Sequence, residues 1–191
     1  MKKLFIFAMA ITICSVLQAE NLLVLNQEQK CEVRKTYPTK LEAKQALRKA
    51  KNYMSKDDFM IVPSEETEDH ITFEGSLQTE YKINPFAGTF TKKLLFNGTL
   101  TITDKGVELY LTNFKIVEGY IGYGEKTTVN DVVAKLDELA ELQTKLSNEG
   151  AQMKKKEQKE LKGQIEDIED LLQESDEELQ KRLGILATQL Q

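Results

Sequence analysis

Tryptophan is absent from the 191 residues, histidine occurs once, cysteine twice and proline three times. A lone imidazole at His70 and so few thiols remove most zinc sites and any histidine-based triad. Strong basicity is also missing. The formal charge is −5, and a net acidic chain lacks the basic face that general binding to nucleic acid or anionic lipid requires. After residue 17 no further long apolar run follows, so the sequence holds no second candidate membrane span. What is present is 40% hydrophobic residues, enough for a real core, and 30% charged residues, which suits exposed helices.

Residues 1–19 read as a secretory signal peptide. Lys2 and Lys3 form the basic start, residues 4–17 are apolar apart from Thr12 and Ser15, and Ala19 stands at a plausible cleavage point before Glu20. The apolar run is short for a transmembrane helix. Cys14 is a poor lipoprotein site, because Ile13 stands where a small residue is expected. The expectation is an exported protein of the periplasm or cell envelope. Cleavage would leave Cys31 alone, so the mature fold must rest on its core and not on a disulfide.

Composition changes near residue 127. All fourteen aromatic residues precede residue 128. Residues 20–127 carry a net charge of −1, and residues 128–191 carry −6. The glycines Gly119, Gly122 and Gly124 mark the boundary. The expected division is therefore a leader at 1–19, an α+β domain at 20–124 and a helical extension at 125–191.

Within the front part, Thr39 followed three residues later by Glu42 predicts a capped helix start. Ala43, Ala46, Leu47, Ala50, Tyr53 and Met54 then share one helical face. Residues 59–62 predict a short strand stopped by Pro63. Ile71, Phe73 and Leu77 alternate with polar residues, with His70 on the polar side. Leu94, Phe96, Leu100 and Ile102 alternate likewise. Asp104, Lys105 and Gly106 turn the chain, and Val107, Leu109 and Leu111 resume. The apolar phase then slips to Phe114 and Ile116, which predicts a bulge near Asn113.

From Thr128 the period becomes helical. Val129, Val132, Val133, Leu136, Leu139, Leu142 and Leu146 make one apolar face, and a turn about Gly150 predicts a helical hairpin. Two stripes follow at spacings of 4, 3 and 4: Leu161, Ile165, Ile168, Leu172, and Leu179, Leu183, Leu186, Leu190. The first helix is too short to cover both. The second stripe, Leu179 to Leu190, is therefore the expected partner-binding surface, for another protein or a second copy.

Chemical motifs are weak. The glycine run at 119–124 has neither dinucleotide nor P-loop spacing. Glu166, Asp167, Glu169 and Asp170, with Asp176, Glu177 and Glu178, lack the ladder and central glycine of an EF-hand loop. Lys154, Lys155, Lys156, Lys159 and Lys162 form a basic block beside those acids, able to pair within the helix or with a second hairpin. No nucleophile–base pair, cofactor fingerprint or metal spacing stands out, so no cofactor is expected and the protein is read as non-catalytic.

The order of these features resembles the DUF4468 family, a domain of unknown function in exported, mostly Bacteroidetes-type proteins. The resemblance lies in the Ala-rich helix at 39–54, the strands at 59–62 and 71–77, and the hairpin at 94–116 about Asp104, Lys105 and Gly106. It covers residues 31–117. The chain departs from the family in lacking its usual tryptophan late in the first helix; Tyr53 stands near there. The resemblance implies a TATA-binding-protein-like fold, an antiparallel sheet of four or five strands on a helix, and export. It implies no activity. The resulting functional expectation is a binding or scaffolding protein whose helical tail associates with a partner or itself. The alternatives are a carrier of a small apolar ligand between sheet and helix, and an undetected hydrolase.

Overall fold

The computed structural model describes residues 21–56, 59–84, 88–121 and 125–191. The leader with Cys14, and the glycines Gly122 and Gly124, lie outside the described residues. The element order is β1 (Val33–Tyr37), α1 (Ala43–Met54), β2 (Ser55–Lys56), β3 (Phe59–Glu66), β4 (His70–Asn84), β5 (Gly88–Thr103), β6 (Gly106–Ile121), β7 (Glu125–Asp131), α2 (Val132–Glu149) and α3 (Lys155–Leu190), with a 3-10 turn at Gly150–Gln152. The fold is α+β.

Every strand pair is antiparallel, and the sheet runs β2, β3, β4, β5, β6. β6 is long enough to hold two partners on its far edge. β1 pairs along 107–111 and β7 along 115–121. Among the described residues the sheet thus has seven strands, where four or five were expected. Pro63 does not stop β3. A register shift between Pro63 and Glu65 absorbs it, and pairing continues to Glu66.

The alternating segments fall as their periods require. Phe59, Ile61, Ile71, Phe73, Leu77, Leu94, Phe96, Leu100, Val107, Leu109 and Leu111 all face the core. The phase slip is a bulge on β6: Phe96 opposes both Asn113 and Phe114, and Asn113 takes a left-handed φ of 57°. That extra residue puts Leu111 and Phe114 on one face. Phe96 is the hub, with ring centroids of Phe59, Phe114 and Phe73 at 5.6, 6.2 and 6.5 Å. Two glycines make room for the rings. Gly75 is opposite Phe96 and Gly98 is opposite Phe73. A Cβ on Gly75 would come within 2.2 Å of the Phe96 ring, and one on Gly98 within 2.5 Å of Phe73.

α1 lies on this face, brought close by Ala46 and Ala50, which are fully buried. Thr39 does not cap it. Glu42 holds that position without a side-chain bond. The Thr39 hydroxyl instead donates to the Leu190 carbonyl at 2.7 Å and accepts from the Leu41 amide at 3.1 Å, tying the end of α3 to the start of α1.

α3 overturns the largest expectation about the tail. Leu179, Leu183, Leu186 and Leu190 are at most 1% exposed, and they belong to the same core as the sheet and α1. They form no bare surface for a partner. One continuous helix of 36 residues spans about 54 Å at ~1.5 Å per residue, so its second half reaches back over the sheet beside α1. Tyr53 fastens it by donating to the Arg182 carbonyl at 3.1 Å, and buried Lys92 of β5 pairs with Glu174. The boundary expected at 124/125 therefore separates no independent units. Residues 125–131 are a sheet strand, not the start of a helix, and Val129 is 59% exposed on it. Asp131 caps α2 by accepting from the Val133 and Ala134 amides.

Candidate functional site

The first half of α3 and the whole of α2 form the expected hairpin, an antiparallel arm. Leu161, Ile165, Ile168 and Leu172 are buried, at 6–8% exposure. Leu136, Leu139, Leu142 and Leu146 of α2 are half-buried opposite them. Gln143 crosses the seam by donating to Glu169 at 2.9 Å. Leu161 and Ile165 stand outside the main hydrophobic core, while Ile168 and Leu172 join it and Leu142 packs against it. Charge divides along α3. Residues 154–162 hold five lysines and two glutamates, and residues 163–180 hold eight acids and no base.

At the base of the arm a groove of about 550 Å³ opens between α2, α3 and the N-terminal segment. Its apolar part is Leu23, Val24, Leu136, Leu139 and Leu172; its rim carries Glu169, Asp176 and Glu177. Asp176 is buried and accepts from the Leu22 and Leu23 amides, both at 2.7 Å, which straps the N-terminal segment to α3. Leu25 completes the strap by bridging to Cys31.

Among the described residues no helix covers the sheet's other face. Cross-strand rows run Met60, Ser76, Leu95, Lys115, Asp131 and Val62, Glu74, Asn97, Thr112. All of these but Thr112 line an open groove of about 850 Å³, which also takes in the bulge residue Asn113. Met60 and Val62 are exposed at one end, and Lys115 and Asp131 sit at the other.

The single-residue candidates fall apart in space. His70 lies on the open face between Thr101 and Thr72, whose hydroxyls are 3.0 and 2.9 Å from its ring nitrogens. Cys31 is buried, and burial, with Asp176 and Asp131 adding to it, pushes its thiol up to about 12. It is a protonated core thiol at neutral pH. The acids of α3 point around the helix, and among the described residues no three His, Cys, Asp or Glu side chains converge as metal ligands. Gly119 is a strand residue, opposite Thr91 and Thr127. Phe73, Leu77, Phe96 and Leu109, the walls of the cavity a carrier would need, are packed under α1 and α3. The sequence missed the Asp176 strap, because the backbone amides of Leu22 and Leu23 that the carboxylate binds lie more than 150 residues away and carry no residue-type signal.

No protein-family model matches the sequence, and no curated protein matches it. One solved structure is similar. It is the crystal structure of a DUF4468 family protein from Bacteroides ovatus, at 14% identity and a TM-score of 0.35, over 55% of this chain and 64% of that one. That is the family whose pattern the sequence resembles. This chain spans less than two thirds of that protein, and the likeness assigns no residue a role. Among the described residues no helix is long and apolar enough to cross a membrane.

Proposed function

We propose that this is an exported, non-catalytic binding or scaffolding protein that associates through its helical arm, residues 132–172. The reading differs from the one drawn from the sequence in the surface it uses. The stripe from Leu179 to Leu190 serves the core, and the arm is the part of the tail left to work. The observation that carries the proposal is the arm itself: a hairpin whose stripe residues Leu161 and Ile165 lie outside the main core, and whose longer helix concentrates opposite charges in separate blocks. The leader pattern at 1–19 supports export.

Removing all of 128–191 would strip the cover from the sheet, so it cannot test the arm. The suitable variant shortens the hairpin by one heptad on each helix, deleting 143–149 and 155–161. Chemical crosslinking in the host envelope, followed by intact-mass analysis, should show adducts with the natural arm and none with the short one. The same masses should lack residues 1–19. Identical adducts from both proteins at equal thermal stability would end the arm reading.

A further inference from the structure

Six exposed residues of α3 follow one another at spacings of 4, 3, 4, 3 and 4: Lys155, Lys159, Lys162, Glu166, Glu169 and Gln173. At that spacing they form one line along the helix, beside the face buried against α2. Three bases are followed by two acids and an amide. Among the described residues none of the three lysines has an ion-pair partner in its own chain; the neighbouring Lys156 pairs with Glu160 at 3.8 Å. The acidic end of the line borders the groove floored by Leu23, Val24, Leu136 and Leu139.

We propose that the partner of the arm is a second copy of this chain, docked antiparallel along that line. The inference rests on the arm reading above and supplies its occupant. A two-fold axis midway between Lys162 and Glu166 sets Lys162 opposite Glu166, Lys159 opposite Glu169 and Lys155 opposite Gln173, and symmetry repeats each pair. The line is its own complement in that direction only. A parallel arrangement places lysine on lysine and glutamate on glutamate, which repel. Gln173 already donates its amide to Glu177 at 2.7 Å, so its carbonyl oxygen faces the task of accepting from lysine. Glu169 is steadied by Gln143, so one acceptor is already oriented. The aliphatic stems of Lys155 and Lys159 cover apolar floor that the groove leaves open to water. The contact is mainly charged and exposed, so it is reversible and sensitive to salt.

Sedimentation velocity of the whole protein as its host produces it tests this. Self-association should appear at about 20 mM salt and weaken at least about tenfold at about 500 mM. Zero-length amine–carboxyl crosslinking should join Lys159 of one copy to Glu169 of another. Two variants then read the pairing: Lys155→Glu with Lys159→Glu and Lys162→Glu, and separately Glu166→Lys with Glu169→Lys. Each alone should be monomeric with an unchanged melting curve, and a one-to-one mixture should form a heterodimer. A natural chain that stays monomeric at low salt, or variants that self-associate as it does, overturns the second copy as partner. The arm reading itself falls only if shortening the arm leaves the envelope adducts unchanged.

Discussion

The two halves of α3 carry the same 4, 3, 4 pattern of leucine and isoleucine but do different work. Leu161 and Ile165 remain 7% and 8% exposed outside the main core, Ile168 and Leu172 join its edge at 6%, and Leu179 to Leu190 are at most 1% exposed against the sheet and α1. Periodicity identifies a face that will be covered; it does not identify the cover. What decides it here is width. Five strands across, from β3 to β1, span about 19 Å at ~4.8 Å per gap, whereas a helix is about 10 Å wide. α1 alone leaves half of the sheet bare, so a second helix has to lie beside it.

The sharpest way to break the comparison is to put charge into each half. Leu183→Glu with Leu186→Glu buries two carboxylates in the core and should cost more than about 5 kcal/mol, enough to abolish the cooperative fold. Leu161→Glu with Ile165→Glu should unravel the outer arm and leave the main melting transition within a few degrees. Circular dichroism melts with a helical and an aromatic probe separate the two. Equal loss from both would mean that arm and core are one cooperative unit.

Much of this was legible in the chain. The alternation at 71–77, 94–102 and 107–111, the bulge at Asn113 and the hairpin about Gly150 follow from spacing and turn residues alone. Local patterns report which side of an element is apolar, and these segments need no more than that. Apart from the local bulge at Pro63, the misses depend on distant partners. Thr39 looks like a cap, but its hydroxyl is claimed by the end of a helix 151 residues away. Val129 fits a helical face, but β6 offers an edge long enough to recruit residues 125–131 as a strand. Gly75 and Gly98 carry no sequence signal, because the rings they make room for sit on the neighbouring strand.

A second test stays inside the core half. Phe96 touches three other rings, and Phe96→Ala should cost about 3–5 kcal/mol by urea unfolding. Thr101→Ala, on the open face of the same strand, loses its hydroxyl contact to His70 and should cost about 1 kcal/mol or less. Equal costs would mean that the strand faces are reversed.

The smallest effect is also the most discriminating. α3 contains two glycines, Gly163 in the arm half and Gly184 in the core half. A Cβ added to either meets nothing within 4 Å, so alanine fits both without a clash. Each Gly→Ala change removes backbone freedom from the unfolded chain and should stabilise its half by about 0.5–1 kcal/mol. The local gains are equal, so any difference in the melting curve reports coupling. Gly184→Ala should raise the main transition by a few degrees, because α3 is part of the core there. Gly163→Ala should leave that transition in place and raise only the temperature at which arm helicity is lost. Its amide hydrogen exchange should slow from Leu161 to Ile168 and not on β5. If both variants raise the main transition equally, the arm folds and melts with the core. If neither moves anything, the helix at those positions is already held by tertiary contacts strong enough to mask its intrinsic preference.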